Sequence, residues 1–159
     1  MRGEPQKRIS EKALKVWRLY GMMYAAIMWI ISIAALVLTI LFDWHWGIVI
    51  GLFIVSIAVT YIFVSILPKL RWRRWRYEVR EQEIELQRGI IIVKRTLVPM
   101  VRVQHVDTGQ GPILKKYNLS TITISTAATK HEIPALETSE ADELRTSISL
   151  LARVAEDDV

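Results

Sequence analysis

Two long uncharged blocks fill the first half of the chain, and residue-by-residue alternation fills the second. From Leu19 to Phe42 the sequence runs LYGMMYAAIMWIISIAALVLTILF without one Asp, Glu, Lys or Arg. A helix needs roughly 20 apolar residues to cross the hydrocarbon of a bilayer, so this block is long enough to span. A second uncharged stretch runs from Trp44 through Pro68 and contains GIVIGLFIVSIAVTYIFVSIL, again a full span. Only Asp43, Trp44, His45 and Trp46 lie at their junction. So short a link reverses direction, which predicts a helical hairpin with its tryptophan rings at headgroup depth.

After Lys69 the period changes to two, the mark of half-buried strands. Trp75, Tyr77 and Val79 form an apolar face against Arg74, Arg76, Glu78 and Arg80, and Glu81 with Gln82 allows a turn. Ile84 and Leu86 alternate with Glu83, Glu85 and Gln87 as a second strand, which Gly89 breaks. A third strand is expected over Ile90 to Val98, its aliphatic start suggesting burial on both faces and Pro99 ending it. A fourth is expected over Val101 to Asp107. Gly109 to Pro112 reads as a turn, as does Tyr117 with Asn118, because asparagine tolerates the left-handed backbone region.

Leu119 to Ser125 and Lys130 to Pro134 supply two more strands. Thr138 or Ser139 then caps a helix with Glu140, Asp142 and Glu143 in its first turn and Ala141, Leu144, Ile148 and Leu151 along one stripe. Consecutive short strands with hairpin-length turns cannot build a parallel doubly wound sheet, since each parallel pair needs a crossover of about a dozen residues. The pattern predicts an antiparallel β-sandwich or open barrel closed by a C-terminal helix. Along the chain it gives a basic segment at 1–18, the membrane hairpin at 19–68 and one small domain at 69–159.

Charge sets the orientation. Arg2, Lys7, Arg8, Lys12, Lys15 and Arg18 precede the first span, Lys69, Arg71, Arg73, Arg74 and Arg76 follow the second, and the junction carries neither Lys nor Arg. Basic flanks stay inside, so both termini are expected in the cytoplasm of an inner (plasma) membrane. The net charge of +5 sits beside the apolar blocks, which points to anionic lipid rather than nucleic acid. With no cysteine among 159 residues, disulfides and thiolate chemistry are excluded.

Candidate chemistry is sparse. Neither span holds an ionisable group of the kind a transporter or proton relay uses. Gly47 and Gly51 form a G-x-x-x-G, and Ser32, Ala34 and Ala35 are small enough for close helix approach. These are read first as packing within the hairpin and second as a face for homo-oligomerisation. Asp107, Thr108 and Gly109 match the D-T-G of retroviral-type aspartic proteases, but no apolar brace follows, and Gly109 to Pro112 fits a turn. His45, His105 and His131 are scattered without metal-ligand spacing. No catalytic residue, cofactor or metal is expected.

The chain resembles the bacterial pleckstrin-homology-like (PH-like) membrane proteins of the YdbS type. The features that carry the resemblance are the two-span hairpin, W-R-Y-E-V-R at Trp75 to Arg80 and R-G-I-I-I-V-K-R-T at Arg88 to Thr96. V-x-V-Q-H-V-D at Val101 to Asp107 and K-K-Y-N-L-S-T-I-T-I-S-T at Lys115 to Thr126 extend it over nearly the whole chain. Asn118 stands where related sequences often place glycine. The resemblance implies a PH-like fold and a partnership with a larger membrane protein carrying several such domains; it implies no phosphoinositide binding.

The expected function is a membrane-anchored interaction module, serving envelope maintenance or protection against membrane-active agents. The alternative is a sensor of anionic lipid headgroups. Its candidate contacts are Lys69, Arg71, Trp72, Arg73, Arg74, Trp75 and Arg76, together with Lys115 and Lys116 on a turn. Each basic residue near an anionic leaflet contributes on the order of 1 kcal/mol, and tryptophan rings favour the interface.

Overall fold

A computed structural model of the chain describes residues 4–157. The elements run β1 (Lys7–Arg8), α1 (Ala13–Phe42), α2 (Trp46–Tyr61), a π-helical turn (Ile62–Ile66) and α3 (Leu67–Arg74). There follow β2 (Arg76–Val79), β3 (Glu83–Arg88), β4 (Lys94–Pro99), a 3₁₀ turn (Met100–Arg102), β5 (Val103–Gly109), α4 (Pro112–Lys116), β6 (Leu119–Thr126), β7 (Lys130–Glu137) and α5 (Thr138–Asp157). They divide into two compact units. One is the helical pair over Leu14–Leu70; the other joins the residues up to Ala13 to those from Arg71 onward.

The helical pair is a membrane hairpin by what it exposes. Ile30, Leu41, Phe42, Ile54 and Tyr61 are each more than 60% exposed, and only 17% and 11% of the most apolar windows of the two spans are buried. A surface that apolar is stable only in hydrocarbon. Asp43 adopts a positive φ of 52° and turns the chain between the spans. Ala25, Ser32 and Thr39 recur at heptad spacing along α1 and are all but fully buried, as are Val49 and Ser56 on α2.

Small side chains suit this seam because helices in lipid gain from close van der Waals approach and interhelical hydrogen bonds, not from water exclusion. The Ser32 and Ser56 hydroxyls lie 2.7 Å apart, and the Trp29 indole N–H donates to Thr60 Oγ1 at 3.1 Å. The backbones also approach closely at Gly21, where a Cβ would stand 2.3 Å from the Phe63 carbonyl oxygen. The expected intramolecular use of Gly47 and Gly51 is therefore corrected. A Cβ at either would meet nothing within 4 Å, so both lie outside the seam. The π turn is placed by Pro68, which lacks the N–H for the next helical bond and whose ring disfavours a regular turn before it. The Leu67 N–H accordingly reaches back to the Ile62 carbonyl.

The second unit is the small domain expected after the spans: a four-stranded antiparallel sheet in the order β1-β2-β3-β4 and a three-stranded one in the order β5-β6-β7, with α5 packed on the second sheet. Tyr77, Ile84, Met100, Leu119, Ile122, Ile124, Ile133, Leu136 and Ile148 are fully buried and form the core. The Tyr77 hydroxyl donates to Glu140 Oε1 at 2.7 Å, fastening the start of α5 to β2. Burial, reinforced by that carboxylate, pushes the Tyr77 phenol well above its ordinary pKa.

Several expectations are corrected. The residues before the first span are not a separate basic segment: Lys7 and Arg8 pair antiparallel with Tyr77 and Arg76, Ile9 and Ala13 are buried, and the Ser10 N–H donates to the Ala135 carbonyl at 3.2 Å. The strand over Ile90 to Val98 starts only at Lys94, leaving Ile91 and Ile92 exposed on a loop. Gly89 forces this with a φ of 128°, a backbone region costly for any residue with a Cβ. The strand covered on both faces is β3, where Ile84 and Leu86 face the core while Glu85 and Gln87 lie under Arg80 and Arg95.

The fourth strand begins at Val103 instead of Val101, because Met100–Arg102 winds into the 3₁₀ turn. Pro112 starts a short helix in the expected loop. Pro134 does not end β7, since a register shift and a positive φ at Ala135 carry the strand past it to Glu137. Asn118, with a φ of 55°, takes the left-handed conformation expected of it.

Candidate membrane-facing site

The basic run that leaves the second span is helical as far as Arg74, and the helix sorts its side chains. Lys69 and Arg73 stand at i, i+4 and Arg71 and Arg74 at i, i+3, so they form two adjoining exposed rows. The tryptophans face elsewhere. Trp75 is only 4% exposed and belongs to the core. The Trp72 indole N–H donates to the carbonyls of Ile9 and Ser10 at 3.3 and 3.2 Å, and the Arg8 guanidinium lies 5.5 Å from its ring centroid.

Neither ring is thus free to lie flat in a lipid interface. Arg76 pairs with Glu4 at 3.0 Å. Lys115 and Lys116 end α4, exposed, and lie outside the hollow that Arg71 lines.

That hollow holds about 510 Å³ and is lined by Arg71, Trp75, Arg88, Lys94 and the loop Gly89–Ile92. It joins one predicted residue of the exposed basic rows, Arg71, to two cations that sequence reasoning did not single out. Arg88 ends β3 and Lys94 opens β4 in register with it, so the two cations straddle the tip of a hairpin. His131 reports their field: burial first, then the positive charges of Arg88 and Lys94, hold its imidazole below the ordinary histidine pKa. The signal lay in R-G-I-I-I-V-K-R, where aliphatic residues follow a glycine and cations bracket both ends.

Two other features bear on function. A cleft of about 850 Å³ opens beside β4 and is lined by Leu97, Pro99, Val101, His105 and the turn Thr126–Thr129. Across the outer face of the first sheet Arg80 bridges Glu78 at 2.9 Å and Glu83 at 3.2 Å, with Glu85 3.4 Å away. The hydrogen bond to Glu78 chiefly raises the Arg80 pKa, and this group closes on itself as a sheet clamp. Asp107 of the D-T-G sequence is an exposed side chain within β5. Among the described residues no three His, Cys, Asp or Glu side chains gather as a metal site would need.

A family model described as the bacterial PH domain matches residues 19–152, spans and domain together. Over all 159 residues, and the full length of both proteins, the chain is 55% identical to the UPF0699 transmembrane protein YdbS of Bacillus subtilis strain 168. It is 21% identical over 98 residues to the UPF0699 transmembrane protein YdbT of the same organism, a match that covers 59% of this chain and 20% of that protein. No solved structure matches it.

Proposed function

The chain belongs to the bacterial PH domain family, and from that premise we propose that it is a non-catalytic interaction module, anchored in the cell membrane by its hairpin with both termini cytoplasmic. The basic flanks support the cytoplasmic side. Support for a common side comes from β1 and β2: Lys7 precedes the first span, Tyr77 follows the second, and they are paired.

The observation that carries the reading is β4. It is the last strand of its sheet, with Leu97 45% exposed on it and Val101 50% exposed just beyond, beside the open cleft. An edge strand with accessible apolar side chains is a template for an added strand, main-chain bonds giving affinity and side-chain pockets giving selectivity. The partner proposed is a related membrane protein with several such domains, because a stretch of this chain resembles one fifth of the larger YdbT. Maintenance of the envelope against membrane-active agents is the process such a complex would serve.

A photo-crosslinking residue at Leu97 in native membranes tests this. An adduct with a larger membrane protein of the same family is expected. Recovery of the unreacted monomer alone overturns it. The second reading, recognition of anionic lipid, draws on the exposed rows of Lys69, Arg71, Arg73 and Arg74, with Lys115 and Lys116 as a separate patch. It calls for domain–vesicle contact that weakens steeply with salt.

A further inference from the structure

We propose that the β3–β4 hairpin is a membrane wedge: Ile91 and Ile92 enter the bilayer surface while Arg88, Lys94 and Arg71 hold lipid phosphates around them. Ile91 is 93% exposed and Ile92 81%, whereas the other exposed large aliphatics of the domain, Leu97, Val101, Leu150 and Val154, lie between 45% and 59%. Two adjacent isoleucines this bare are out of place in water and need an apolar phase.

The tip does not point outward by looseness. Gly89 holds a φ of 128°, and a Cβ there would stand 1.9 Å from the Ile92 carbonyl oxygen, so the turn is built around a residue without a side chain. On either side Arg88 and Lys94 are cross-strand partners. Apolar residues at the tip with cations at the shoulders suit an anionic interface, where the chain sinks to the acyl boundary and the charges stop at the phosphates.

The membrane is chosen over a protein by the charge gathered around the tip. Arg71 lines the same hollow as the tip, so three cations surround two apolar side chains, the complement of a surface whose phosphates lie over hydrocarbon. The wedge stands apart from the partner reading, since it uses neither the free edge of β4 nor the cleft.

The chain has no cysteine, so Ile91→Cys offers a single labelling site at a position where folding is not at stake. The full-length variant carries an environment-sensitive dye there, in phosphatidylcholine vesicles doped with phosphatidylglycerol. Leu150→Cys, on α5 of the same domain, is the comparison whichever way the protein inserts. At position 91 the dye is expected to respond to a quencher carried on the lipid chains and to be about threefold less sensitive to iodide than at 150. Arg88→Glu with Lys94→Glu should return it toward the value at 150. Equal iodide sensitivity at the two positions overturns the wedge. So does a dye shielded from iodide yet blind to the lipid quencher, which would assign the tip to a protein contact.

Discussion

The hairpin and the domain are held together by opposite means. In the domain, contact is made by the largest apolar side chains, with Tyr77, Met100, Ile122 and Ile133 all fully buried. In the hairpin the contacting positions are Gly21, Ala25, Ser32, Thr39 and Ser56, while isoleucines, leucines and phenylalanines face outward. Water makes the difference. An aliphatic side chain that leaves water gains roughly 1.5 to 3 kcal/mol, but one that leaves lipid for a helix surface gains only better packing. Bulk stabilises the domain, and its absence stabilises the hairpin.

The contrast predicts that removing carbon damages one unit and adding it damages the other. The largest effect is expected for Ile122→Ala in the domain, about 3 to 4 kcal/mol by lost transfer energy and the cavity left behind. Chemical denaturation of the detergent-solubilised protein measures it. Gly21→Ala should cost the hairpin about 1 to 3 kcal/mol, because the added methyl meets backbone at Phe63 and not a side chain able to rotate. Cysteine crosslinking between α1 and α2 would show the loosening; an unchanged crosslinking pattern would mean that the close approach is not structural.

Hydroxyl groups sharpen the comparison. Tyr77→Phe removes a bond to a half-buried carboxylate and should cost about 1 to 2 kcal/mol at neutral pH. The folded domain keeps the phenolic proton above the ordinary pKa, so stability should fall as pH rises past about 10, and Tyr77→Phe should flatten that fall in an alkaline melt. Ser32→Ala, which breaks the 2.7 Å contact with Ser56, is expected to cost least, about 0.6 kcal/mol, in steric-trap or thermal measurements on the hairpin.

Legibility in the sequence followed the same physics. Both spans, most strands and α5 were readable because each repeats one period for long enough to declare itself. Residues Ile90 to Ile92 misled, since an aliphatic run reads as a buried strand until the positive φ at Gly89 is known. Only two residues pair in β1, too few to show a period, and its partner lies beyond two membrane crossings. Of the candidate lipid contacts, the cations other than Arg76 were legible as exposed charge. Trp72 and Trp75 were not, because an interfacial ring and a core ring look alike in a sequence, and the carbonyls that bind Trp72 come from distant residues.

Because β1 is supplied from upstream of both spans, the domain is split by its own anchor. During synthesis Lys7 and Arg8 leave the ribosome long before β2 does, and the strand must stay unpaired until the intervening helices have been threaded into the bilayer. Completion of the sheet then acts as a check on insertion: a chain whose second span failed to return would leave β1 and β2 on opposite sides of the membrane, with the Ile9 and Trp72 contacts unmade.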